Sequence, residues 1–130
     1  MQNARMQFVR SGLILFCRNY EACRDFYRDV LELPILFSFN GDEPLCCFDT
    51  GSGYLMVEQS KDAHANSNKL RLHVEDIQAT SKRLKEKKIP FEHGTFSWGE
   101  VLDCIDPEGN GISIRDEGTF NAQITNYKKP

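Results

Sequence analysis

The sequence predicts an α+β fold assembled from two β-α-β-β-β modules, and two observations carry that prediction. The chain repeats one plan: "GLILFCRN" from Gly12 runs into "YEACRDFYRDVLELP", and "KLRLHVED" from Lys69 runs into "IQATSKRLKEKKIP". Asn19 and Asp76, both good helix caps, end the leading strand of each copy, and Pro34 and Pro90 close the two helical stretches. In addition, each helical stretch is followed by three short strand-like runs separated by Gly-bearing turns.

Taken in order, module one covers about residues 8–59. Its strand "GLILFC" is the longest apolar run. The helix after it places Cys23, Phe26, Tyr27, Val30 and Leu31 at i, i+3, i+4, i+7 and i+8, a spacing that predicts one inward face. "PILFSFN", "PLCCFDT" and "YLMVEQ" are predicted strands, turned by "NGDE" and "TGSG". Residues 60–68, "SKDAHANSN", are polar and aperiodic and read as a linker. Module two, about 69–117, begins with a strict alternation. Leu70, Leu72 and Val74 fall on one face, and Lys69, Arg71 and His73 on the other. Its helix has a narrow inner face of Ile77, Thr80, Ser81 and Leu84, and "KRLKEKK" is a solvated surface. "FEHGTFSW", "EVLDCID" and "GISIRDE" complete the module, with "DPEGNG" as a turn. The tail, 118–130, carries no assigned element; packing on a partner and remaining free are both open.

A chain of 130 residues, 40% hydrophobic, suits a single domain with its own core. No apolar run approaches the ~20 residues of a membrane helix, and the first ten residues hold too short an apolar stretch for a secretory signal. A net charge of −3 with interspersed Lys and Arg argues against nucleic acid as a partner. The five cysteines form no CxxC pair, and Cys46 and Cys47 should face opposite ways in a strand. These features argue for reduced thiols in a cytoplasmic protein rather than for disulfides or a zinc site.

"CRNYEACRDFYRDVLEL" at 17–33 and "DPEGNGISI" at 106–114 resemble the vicinal oxygen chelate superfamily of glyoxalases, bleomycin-resistance proteins and extradiol dioxygenases. Glu32 stands where that family usually has Gly. The resemblance spans about Gly12 to Arg115. It implies an open, barrel-like cleft with helices outside, frequent homodimers, and commonly one divalent metal. The four metal-ligand positions it implies are Gly12, Glu58, Lys69 and Ser113. Of these only Glu58 is a good ligand; Gly12 has no side chain, Lys69 is a cation and Ser113 suits transition metals poorly. His73 lies four residues beyond Lys69, ~13 Å along a strand, too far to substitute. His64 and His93 read as surface residues. The expectation is therefore no metal and no cofactor, with the Lys69 ammonium paired to Glu58 in place of an ion.

Alternation also sorts the faces. Leu13, Leu15, Cys17, Leu55, Val57, Leu70, Leu72, Val74, Ile112 and Ile114 should face the helices. The opposite face collects Ile14, Phe16, Tyr54, Met56, Glu58, Lys69, Arg71, His73, Ser113 and Arg115. The expected ligand-binding set is Phe16, Tyr54, Met56, Glu58, Lys69, Arg71, His73 and Arg115. An apolar wall facing cations fits a small anionic organic molecule. Other readings stand beside this one. Arg71 and Arg115 can pair with Glu58, Glu75 or Asp116, and Phe16, Tyr54 and Met56 can fill the cleft or form a dimer interface. His73 can be a structural hydrogen-bonding residue or a general base, and Trp98 can sit over the cleft or at an interface. Three functions compete: metal-free binding of a small anion, a metal-dependent lyase, isomerase or dioxygenase, and a protein–protein module with a vestigial cleft. No catalytic residue is assigned.

Overall fold

Both expected helix caps form in the computed structural model, which describes residues 5–62 and 68–128. The Asn19 carboxamide oxygen accepts the Ala22 N–H at 3.3 Å, starting α1 (Tyr20–Asp25). The Asp76 carboxylate accepts the Ala79 N–H at 3.0 Å, starting α2 (Ile77–Glu86). The four residues expected on the inner face of α2 are all buried.

The first helix departs from expectation. After Asp25 it widens into a π-helical turn, Phe26–Val30, closed by the Leu31 N–H on the Phe26 carbonyl at 3.1 Å. A wider turn breaks the 3.6-residue phase on which the expected stripe depended. Tyr20, Cys23 and Tyr27 pack inward, while Phe26, Val30 and Leu31 are exposed. Glu32, at the position where the resemblance has Gly, takes a left-handed φ of 59°, and Lys88 takes one of 61° after α2. A left-handed turn thus ends the helical segment of each module, at a cost of roughly 1–2 kcal/mol for a non-glycine residue.

The strands are β1 (Arg10–Cys17), β2 (Ile35–Phe39), β3 (Leu45–Asp49), β4 (Tyr54–Gln59), β5 (Lys69–Val74), β6 (Glu92–Phe96), β7 (Gly99–Ile105) and β8 (Gly111–Asp116). They form one sheet in the order β2-β3-β4-β1-β5-β8-β7-β6. Within each module the first and fourth strands run parallel, with Gly12 beside Tyr54 and Lys69 beside Gly111. The offset that relates Gly12 to Lys69 also relates Tyr54 to Gly111, so the internal repeat holds in register. β1 and β5 join the modules antiparallel, with Gly12 opposite Arg71 and Ile14 opposite Lys69.

Alternation along these strands feeds three cores. Under α1 lie Leu15, Cys17, Cys46, Phe48, Leu55 and Val57. Under α2 lie Leu72, Val74, Leu102, Ile112 and Ile114. On the other face Ile14, Phe37, Cys47, Tyr54 and Met56 form the third core, with Phe16 at its margin. Cys46 and Cys47 thus point to opposite faces, and all five cysteines are free thiols. Two residues break the expected sorting. Leu13 and Leu70 are register partners at the seam between modules, and they remain 43% and 42% exposed.

The tail is the largest addition to the predicted plan. Asp116 accepts the Thr119 N–H at 2.9 Å and starts a third helix, α3 (Glu117–Asn126). Phe120 of α3 is fully buried in the third core, with ring centroids 5.5 Å from Phe37, 4.6 Å from Tyr54 and 4.5 Å from His73. The helix therefore occupies part of the cleft that the two modules enclose. Among the described residues no helix is long and apolar enough to cross a membrane.

Candidate functional site

α3 removes two expected binding residues from the cleft. His73 is fully buried beneath it; Nδ1 lies 2.9 Å from the Glu117 carboxylate and Nε2 lies 2.6 Å from the Tyr54 hydroxyl. With Nδ1–H donating to Glu117, Nε2 accepts from Tyr54, and every polar atom of the ring is satisfied. Burial pushes the His73 pKa down to about 4, against the opposing pull of Glu117, so the ring is neutral near pH 7. Burial raises the Glu117 carboxyl, but hydrogen bonds from Arg10 and His73 outweigh it, and the net shift is downward. Of the two readings of His73, the structural one describes its position, and a general-base role would need it open to a substrate. Tyr54 is likewise enclosed. Its ring crosses over Gly12, where a Cβ would come within 2.5 Å of ring carbons. The aromatic ring fills the space in which a metal ligand on β1 would stand.

The cleft that remains is a cavity of about 590 Å³. Phe37, Phe39, Leu45 and Met56 form its apolar wall, and Gln123 and Asn126 of α3, with Tyr127 just after the helix, line it as well. Arg71 and Arg115 supply its cationic end. They are diagonal neighbours on β5 and β8, since Arg71 pairs with Ser113 and His73 with Arg115. Both are buried, at 7% and 1% exposure, yet Nε and Nη1 of Arg71 and Nε of Arg115 have no hydrogen-bond partner. Arg115 Nη2 donates to the Trp98 carbonyl at 2.6 Å and to the Gln123 side-chain oxygen. Both guanidiniums also lie over the Trp98 ring, 4.8 Å away for Arg115 and 5.8 Å for Arg71, while Phe96 stacks on the indole at 5.0 Å. Burial, then the like charge of Arg71, pulls the Arg115 pKa down to about 10. Glu58 and Glu43 form the acidic side of the cavity. Burial raises the Glu58 pKa; Arg71 opposes that shift and Glu43 adds to it.

Of the eight expected binding residues, Met56, Glu58, Arg71 and Arg115 line this cavity, and Phe16, Tyr54, Lys69 and His73 do not. The expected Lys69–Glu58 ion pair does not form: among the described residues no ion pair within 4.0 Å involves either side chain. Register explains this. Lys69 is opposite Ile14 on β1, Glu58 is beside Phe16, and the Lys69 stem lies along Gly111. Nor does Arg71 or Arg115 pair with Glu58, Glu75 or Asp116 within that distance. The Asp116 carboxylate instead holds the N–H groups of Glu100 and Thr119. The four implied metal positions do not converge either. Gly12 and Glu58 are four register steps apart along β1, and Ser113 sits beside Arg71 rather than Lys69. Among the described residues no group of three or more His, Cys, Asp or Glu side chains gathers, so these residues do not fit a metal. His93 is on the surface, 2.7 Å from Glu100, and His64 lies outside the described residues.

Sequence reasoning missed Phe37, Gln123 and Tyr127; it left Trp98 open between the cleft and an interface, and Trp98 lines the cavity. A signal for α3 did exist: Asp116 stands three residues before Thr119, and Phe120, Ile124 and Tyr127 recur at helical spacing.

Two tandem βαβββ modules sharing one sheet around a ligand-sized cleft define a class of α+β proteins. The chain belongs to the Glyoxalase/Bleomycin resistance protein/Dioxygenase superfamily, whose family model matches residues 11–114. Among solved structures it is similar to a glyoxalase/bleomycin resistance protein/dioxygenase superfamily member from Vibrio splendidus 12B01. That match has 17% identity and a TM-score of 0.64, over 83% of this chain and 98% of the other. It is similar to a Streptomyces coelicolor methylmalonyl-CoA epimerase variant at 11% identity and TM-score 0.62, over 86% and 98% of the two chains. It also matches a variant of homoprotocatechuate 2,3-dioxygenase from B. fuscum at 18% identity and TM-score 0.60, over 86% of this chain but 32% of that one. At these identities the likeness shows the fold alone. A search of curated proteins finds no significant match.

Proposed function

We propose that the protein binds a small organic anion in its cleft without a metal. The observation that carries this reading is the set of unpartnered guanidinium nitrogens on two buried arginines. A buried guanidinium with no anionic partner and with unsatisfied N–H groups is costly, and a carboxylate or phosphate accepting from both guanidiniums lowers that cost. The apolar wall of Phe37, Leu45 and Met56 suits the ring or chain of such a ligand. A homodimer belongs to the same reading, as the resemblance implies, and the exposed Leu13–Leu70 seam supports it.

Calorimetric titration with 4-methylbenzoate and its amide tests the binding reading. The acid should bind more tightly, and Arg71→Ala should weaken the acid about 10- to 150-fold while changing the amide little, as for a hydrogen bond to a charged group. Equal losses for both compounds would make Arg71 structural. Stoichiometric binding of zinc, nickel or manganese by the wild type would overturn the metal-free reading.

A further inference from the structure

The cavity is not uniformly cationic, and that sets a second requirement on its ligand. Glu58 and Glu43 share it with Arg71 and Arg115. Among the described residues neither carboxylate has an ion-pair partner within 4.0 Å. The charged groups acting on Glu58 are Arg71, Glu43 and Lys69, and none of them reaches it. If Glu58 served to neutralise Arg71, it would bond the guanidinium; instead Nε and Nη1 of Arg71 are buried without a hydrogen-bond partner. The cleft therefore keeps opposite charges apart, and among the described residues neither has an ion-pair partner.

Resting on the anion-binding reading, we infer that the ligand is a zwitterion whose acid group meets Arg71 and Arg115 and whose ammonium group meets Glu58 at the acidic side. A simple anion placed at the arginines is repelled by Glu58 and Glu43. A ligand that also carries a cationic nitrogen turns this repulsion into attraction. The spacing is compatible with a small molecule. Arg71 is opposite Gly12 and Glu58 is beside Phe16, so their backbones are separated by two strand spacings and four residues, roughly 16 Å on a flat sheet. Both side chains line the one cavity and narrow that gap, and a substituted ring is a spacer a ligand could use there. Phe37 and Met56 lie on the apolar wall that such a ring would meet.

The test compares 4-(aminomethyl)benzoate, 4-methylbenzoate and 4-(aminomethyl)benzamide by calorimetry on the full chain. The zwitterion should bind tightest, about tenfold tighter than 4-methylbenzoate, the gain expected from one hydrogen bond between charged groups. Glu58→Gln should abolish that advantage while leaving 4-methylbenzoate binding equal or stronger. Glu43→Gln, an exposed and structurally mild change, should reduce it in part. If 4-methylbenzoate binds as tightly as the zwitterion, or if the advantage survives both substitutions, the zwitterion inference is overturned and the anion reading stands. If neither acid binds, both fall together.

Discussion

Phe120→Ala is the sharpest probe of how this cleft is built. The Phe120 ring is fully buried against Phe37, Tyr54 and His73, with the guanidinium carbons of Arg10 and Arg115 5.0 and 5.1 Å from its centroid. It is the only fully buried side chain by which α3 holds the cleft floor. Truncating a buried Phe to Ala typically costs 3–5 kcal/mol, because transfer energy is lost and a cavity remains. For a chain of this size that corresponds to a fall of roughly 10–20 °C in Tm. Circular dichroism melts give the global effect. Hydrogen exchange at amides 117–126 reads whether α3 undocks ahead of the rest. Binding of 4-methylbenzoate should weaken as well, because Gln123 and Tyr127 would no longer be held against the cavity. An unchanged Tm together with unchanged exchange in α3 would refute the docked helix and, with it, the cavity as described.

Two further predictions concern stability and assembly. The folded-state pKa of His73 is depressed to about 4 from its ordinary 6.5, so its contribution is fully present above pH 6.5 and is lost as pH falls through 4. That contribution is about 3 kcal/mol, and Glu117, whose pKa is also lowered, adds a further loss at more acidic pH. Urea unfolding should therefore show stability falling between pH 6.5 and 4; the same slope in His73→Gln would contradict the assignment. For assembly, sedimentation of the wild type at micromolar concentration should give about twice the chain mass, with Leu13→Asp shifting it toward monomer. A monomeric wild type would remove the dimer.

Local features read correctly from the sequence have local causes. Asn19 and Asp76 cap helices through a side chain three residues from its donor, and alternation in "KLRLHVED" needs only the pleat of a strand. The repeat was legible because Gly12 and Lys69 hold equivalent register positions on the first strands of the two modules. The arginine pair was legible for the same reason: Arg71 and Arg115 fall on the face opposite their leucine and isoleucine neighbours.

What tertiary structure alone decided was which inward residues remain available. Lys69 and Glu58 share a face but lie at different heights, and only strand register sets heights. The stripe expected on the first helix failed because a single π-turn changes the phase of every residue after it. Most consequentially, α3 has little apolar surface beyond Phe120 and Ile124, so it holds its place by packing on Phe37 and Tyr54 of module one and His73 of module two. Sequence pattern can mark such a helix, but it cannot say where the helix docks. Here docking converts His73 and Tyr54 from candidate ligand contacts into buried supports, and it leaves the two arginines facing an open cavity.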